Sequence, residues 1–286
     1  MTQQPGGPLA ELAREPELES EPAPAVRWLK TAGWGIARVG SIIALALAWE
    51  IAARSGAFTP FMLPSLSSVL ERIWNDLVGG ELLLNTAVTL YRALAGFLIG
   101  AVAGIVLGMA ISRNALANWF FDPIISVGFP MPKIAFLPVV ILWLGVYDIS
   151  KITMVSVEAI FPVVTATIIG IRGVEREILW SARNMGAGER ELLWQIALPA
   201  ALPQIITGLQ VALPIALIVA IVTEMFMGGY GLGGAMNTAS RFADSRGVFA
   251  GIVEIAVIGY ALVKLMAVAR RRLLLWHQEA LAPSTV

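Results

Sequence analysis

Between Ala93 and Ser112 the chain runs for twenty residues without one charged side chain. About 20 apolar residues of helix are what it takes to cross the hydrocarbon core of a bilayer. A longer uncharged stretch, from Ala197 to Thr223, is punctuated by Pro199, Pro203 and Pro214. Four further spans are expected at Trp34–Ala53, Pro123–Tyr147, Ile152–Ile171 and Arg246–Val268, making six in all. The apolar residues are continuous rather than alternating, so helices are predicted and not the strands of a membrane barrel. The expected fold class is therefore all-α and integral to the membrane. Charge agrees with this: 14% of the 286 residues are charged, against about 25% in soluble domains.

Arginine and lysine in the short loops set the orientation, because positive charge stays on the cytoplasmic side. Arg27, Lys30 and Arg38 precede the first span, and Arg113 follows the second. Arg172, Arg176, Arg183 and Arg190 lie between the fourth and fifth, and Arg270, Arg271 and Arg272 follow the sixth. Six crossings with both termini cytoplasmic put all four groups on one side. The opposing loops hold fewer: Arg54 and Arg72, then Lys151, then Arg241 and Arg246.

Composition also removes several chemistries. The chain has no cysteine, which excludes disulfides, thiolate metal sites and cysteine nucleophiles. Its one histidine, His277, sits beside the arginine cluster near the C-terminus and cannot build a metal site alone. The net charge of zero gives no reason to expect a nucleic-acid partner. Residues 1–25 are rich in Pro and Glu, with neither a basic start nor an apolar run, so a disordered cytoplasmic tail is expected rather than a cleavable signal. Residues 26–286 are expected to form the membrane domain.

Three connections have character. Pro64–Val78 begins Pro-Ser and continues with apolar residues at helical spacing, which predicts an amphipathic helix at the outer interface. Gly228–Gly234 is too glycine-rich for a stable helix; a re-entrant turn or gate and an ordinary flexible loop both remain open. In Val174–Pro203, Ile178, Leu179, Ala182 and Met185, then Leu192, Leu193 and Ile196, recur at three- and four-residue spacing. That pattern predicts an amphipathic helix, a sharp turn at Gly186-Ala187-Gly188 and a second helix, together a knob on the cytoplasmic face.

At this loop the chain resembles a known family. Gly186, nine residues, then Ile196-Ala197-Leu198-Pro199 is similar to the Gly-x9-Ile-x-Leu-Pro signature of ABC importer permeases, the "EAA loop" that docks into the ATPase subunit. Blocks beginning at Leu63, Leu90, Ile141, Ala201 and Thr223 resemble the nitrate, taurine and aliphatic-sulfonate permeases, in the same order, from about Trp49 onward. The resemblance implies a type I importer fold with a second copy of this chain, two ATPase subunits at the cytoplasmic face and a periplasmic or extracellular binding protein. It also implies residence in the bacterial cytoplasmic (inner) membrane, and a small cargo such as nitrate, a sulfonate, taurine or a related organic molecule. ATP and Mg would be bound by the partner ATPase and no cofactor by this chain, which has no Gly-x4-Gly-Lys-Ser/Thr phosphate cradle.

The coupling loop, about residues 174–199, would carry the ATPase contact through Ser181, Ala182, Gly186, Ala187, Ile196, Leu198 and Pro199. The family's Glu-Ala-Ala falls on Trp180-Ser181-Ala182, so a tryptophan replaces the glutamate. Either Trp180 anchors by burial, or Glu177, one turn earlier on the same face, supplies the carboxylate. An ion-gradient-driven secondary transporter is the rival reading, but it predicts inverted repeats, and none is found.

Ionisable residues inside spans are costly and face a cavity or a partner. Lys133, in a stretch broken by Pro130, Pro132 and Pro138, and Glu158 fall at similar depth on antiparallel neighbours. They are expected either to pair and fix packing or to line a path. Glu224 is a further path candidate; it and Glu254 lie near the outer boundary. Arg92 is expected to snorkel to headgroups. Gly100, Gly104 and Gly108 form a row suited to close helix packing.

Overall fold

The computed structural model describes residues 40–275. The expected tail at 1–25, the basic residues Arg27, Lys30 and Arg38, the start of the first expected span and His277 lie outside them. Every regular element among the described residues is helical.

Helix α1 occupies residues 40–54. Its end is folded back onto the next element: the Trp49 indole donates to Pro64 O at 3.0 Å, and Glu50 accepts from the amide and hydroxyl of Ser67. Helix α2 (Leu66–Val78) starts where expected, with the Ser65 hydroxyl accepting from the Ser68 amide as an N-cap. Helix α3 (Glu81–Arg113) has 33 residues, about 50 Å at 1.5 Å per residue, longer than the ~30 Å hydrocarbon core. Asn114 then caps α4 (Ala115–Gly128) by accepting from the amides of Leu116 and Ala117.

The third expected span is broken. After α4 the chain passes Pro130 and Pro132, forms one 3-10 turn (Lys133–Phe136) and resumes as α5 (Leu137–Leu144), bent by 94° from α4. Prolines lack the N–H of the helical ladder and push the preceding residue out of helical geometry, which explains where the break falls. Helix α6 (Asp148–Arg172) and α7 (Arg176–Asn184) follow. Then α8 (Glu189–Glu191), a π-helical turn (Leu192–Ala197) and α9 (Leu198–Met227) run on without interruption. The wider turn sits where the Pro199 ring would otherwise meet the carbonyl of Gln195. A glycine turn leads to α10 (Leu232–Arg241) and α11 (Ser245–Leu273).

Four of these helices are long and apolar enough to cross a membrane, and the bent pair makes a possible fifth. The count differs from the six expected. The described part of the first span is only the fifteen residues 40–54, and the third is two short helices at nearly a right angle.

The core lies among α3, α6 and α9. Helices α3 and α6 run parallel, and the glycine row extends one turn further than expected. A Cβ at Gly96, Gly100, Gly104 or Gly108 would come within 2.5, 2.7, 2.9 and 2.6 Å of the Cβ atoms of Val155, Ala159, Val163 and Thr167. Lipid gives helices no hydrophobic reason to associate, so small residues that admit close backbone contact supply the attraction. On α9, Ala212, Ala216 and Ala220 are each wholly buried in the same cluster.

Candidate functional site

At the break in the third span, Lys133 is 5% exposed. Its ammonium donates to Phe129 O at 3.4 Å, Met131 O at 3.3 Å and Glu158 Oε1 at 3.3 Å, and lies 4.4 Å from the centroid of the Phe161 ring. Pro130 and Pro132 interrupt the helical ladder, and the two carbonyls freed there solvate the charge. The pair flanks a cavity of about 280 Å³ with walls that include Ile134, Ile215, Ile218 and Val222. Sequence reasoning thus brought together two residues that the structure also brings together.

Beside the N-terminal half of α3, Glu224 is wholly buried. Its Oε1 accepts from Arg92 at 2.7 Å, and its Oε2 from Thr89 at 2.8 Å and from the Gly233 amide at 3.1 Å. The Arg92 guanidinium, 5% exposed, also meets Asp148 at 2.6 Å and Tyr230 O at 2.6 Å. Asn85 accepts from the Gly231 amide, the Thr89 hydroxyl accepts from the Leu232 amide, and Lys151 donates to Gly228 O.

The glycine turn is therefore a clasped element tied to α3, α6 and α9, and not a flexible loop. Gly228, Gly229 and Gly231 all have positive φ, and a side chain at Gly231 would collide with the Glu224 carboxylate. One expectation is corrected: Arg92 does not snorkel outward, because two carboxylates and a carbonyl hold it inside. Glu224 is shielded from solvent, with both its oxygens hydrogen-bonded. Lys151, counted among the loop charges, is 2% exposed and serves the same clasp. Asn85, Thr89 and Arg92 recur at four and three residues along one face of α3, a polar stripe that was the available signal for this cluster.

Near the same end, α2 is pinned to the turn before α11. Arg72 bonds Asp76 at 2.9 Å and Asp244 at 2.8 Å, and the Asp76 hydrogen bond, the largest influence, holds the guanidinium above its ordinary pKa. Glu254 Oε1 is buried with no hydrogen-bond partner among the described residues.

At the arginine-rich end, the loop between α6 and α9 forms the expected knob. Gly186 has φ +93°, its amide donates to Arg183 O and the Ala187 amide donates to Ala182 O. Those two bonds with a left-handed glycine between them define a Schellman stop for α7. Glu191 then accepts from the Gly188 amide to start the next helix. Glu189 joins the knob to its surroundings, meeting Arg183 at 2.8 Å and Arg113, at the end of α3, at 3.2 Å. Ala182 and Leu192 point inward at 4% and 0% exposure. Ile178, Trp180 and Met185 point outward, at 46%, 57% and 80%. Glu177, Ser181 and Gly186 are exposed, Ala187, Ile196 and Leu198 half-buried, and Pro199 exposed.

Residues 96–274, which include the broken span, the knob and most of the clasp, match the family model described as "Binding-protein-dependent transport system inner membrane component". The chain belongs to this family. It is a transport permease and not an enzyme. The permease is 29% identical over 246 residues to the taurine transport system permease protein TauC of Escherichia coli (strain K12), covering 84% of this chain and 90% of that one. It is 31% identical over 252 residues to the putative aliphatic sulfonates transport permease protein SsuC of Bacillus subtilis (strain 168), covering 87% and 90%. A chain from the "Crystal structure of an amino acid ABC transporter with histidines" superposes on the permease with a TM-score of 0.55 at 16% identity, over 66% of this chain and 92% of that one. That likeness is one of fold: an all-α, multi-pass membrane permease.

Proposed function

We propose that two copies of this permease form the translocation path of an ATP-driven importer in the bacterial inner membrane. Each copy would cross six times with both termini cytoplasmic, α1 counting as the first crossing. A binding protein on the outer side delivers a small solute, and two ATPase subunits, which bind ATP and Mg, dock on the cytoplasmic knobs. Likeness to the taurine and sulfonate permeases supports cargo of that size and the same subfamily. Lys133 and Glu158 face the path, while Glu224 belongs to the clasp.

The observation that carries this reading is the knob. Four large apolar side chains, Ile178, Trp180, Met185 and Trp194, stand out from a charge-rich loop that runs directly into α9. Exposed aromatic residues of this kind are the usual anchors of a protein interface. Trp180 then substitutes for the family's glutamate by filling a groove on the ATPase rather than by offering charge. Trp180→Ala should weaken ATPase binding about thirtyfold, the effect of losing a hot spot of about 2 kcal/mol. Co-purification of the ATPase with the intact permease and with the variant reads this directly. Equal retention by both would remove Trp180 from the interface and point to Glu177.

A further inference from the structure

The cavity beside the Lys133–Glu158 pair has a chemistry that selects among solutes. A lysine ammonium has three donors. Here all three directions are taken, by Phe129 O, Met131 O and Glu158 Oε1. No donor is left for an entering anion, and Glu158 cancels the positive charge. Pro130 and Pro132, beside the pair, carry no N–H that could replace it. The unspent capacity is on the acceptor side. Glu158 has 22% of its side chain exposed, and its Oε2 accepts no hydrogen bond among the described residues. The remaining walls are aliphatic, with Ile134, Ile215, Ile218 and Val222 around a space of about 280 Å³.

We propose that this cavity takes an organic solute with an apolar body and a nitrogen-bearing donor group, whose N–H meets Glu158 Oε2, in preference to a bare oxyanion. The proposal rests on the reading that the cavity belongs to the translocation path. It narrows the cargo by head group: an amine, amidine or N–H heterocycle satisfies the free carboxylate oxygen. A molecule with only sulfonate or nitrate oxygens brings acceptors to a site already rich in them, and it loses its hydration for nothing. A solute carrying both an ammonium and an acidic group would enter amine first.

The test holds the hydrocarbon constant and changes the head. Benzylamine, benzyl alcohol and benzenesulfonate are titrated against the full chain in phosphatidylcholine nanodiscs at neutral pH, with binding read by equilibrium dialysis. Benzylamine should bind saturably and about tenfold more tightly than benzenesulfonate, the worth of one hydrogen bond to a charged group. Glu158→Gln should erase most of that preference. Ile218→Trp, which fills the cavity from an exposed position and leaves both charged residues in place, should abolish saturable binding while the chain stays folded. Equal or tighter binding of benzenesulfonate, no saturable benzylamine binding, or binding that survives both variants would overturn the proposal. Retention of the ATPase is scored on the same samples. Its loss with benzylamine binding intact counts against the importer reading, and the reverse result counts against the cargo class alone.

Discussion

Replacing Arg92 by methionine should be the most damaging single change in the clasp. The side chain keeps its unbranched apolar stem and loses the guanidinium, leaving the Glu224 carboxylate at 0% exposure with only Thr89 and the Gly233 amide to bond it. Removing one partner of a buried ion pair costs about 3–5 kcal/mol, most of it from the charge left behind. The reciprocal change is milder. In Glu224→Gln the guanidinium still has Asp148 at 2.6 Å and Tyr230 O at 2.6 Å, and Asp148 is 55% exposed and already solvated. What is lost is one charge-assisted hydrogen bond, about 1.5 kcal/mol. The double variant leaves no orphaned charge and should be more stable than Arg92→Met alone. Unfolding by dodecyl sulfate titration in mixed micelles, followed by tryptophan fluorescence, gives all three values. If Arg92→Met costs no more than Glu224→Gln, then Asp148 and not Glu224 holds the arginine, and the clasp argument fails.

Lys133→Met and Glu158→Leu should each lower stability by about 3 kcal/mol, with the double variant recovering most of the loss; additive losses in the same titration would mean that the two do not compensate each other. Gly186→Val should abolish ATP-driven uptake with insertion intact, because φ +93° is strained for a β-branched residue although no atom lies within 4 Å of its Cβ. Gly186→Asn, which tolerates that region, should retain uptake. Gly100→Val should separate α3 from α6 and cost about 1–3 kcal/mol, since its Cβ would sit 2.7 Å from Ser156 O; Gly259→Ala, 3.5 Å from the flexible end of Leu217, is the near-neutral control in the same assay.

What could be read in advance followed from local chemistry. The proline-broken stretch around Lys133 and the lone carboxylate at Glu158 announced each other, because two charges at one depth in lipid have few alternatives. Gly186 announced its turn because so few residues can stop a helix that way. The clasp was illegible for the opposite reason. Arg92 meets Glu224 from 132 residues away, and the snorkelling expectation weighed only Arg92's own depth. A helix end beside lipid and a helix end beside two carboxylates look alike until the neighbours are known. The same limit explains the knob, where spacing showed that Ile178 and Met185 share a helix but not which of its faces turns inward. The right-angle bend was half visible: prolines marked the break, but its angle depends on the packing of α5 against α6.

The glycine row between α3 and α6 bears on how the molecule can move. Four contacts recur every four residues on two helices running the same way, so the interface behaves like a toothed rack. Sliding by less than a tooth drives a glycine backbone into the side chain of Val155, Ala159, Val163 or Thr167. Sliding by a whole tooth means about 6 Å, more than the Arg92–Asp148 bond can stretch. The two helices must therefore travel as one beam, and the elbow between α4 and α5 is the bent element that rides on its side.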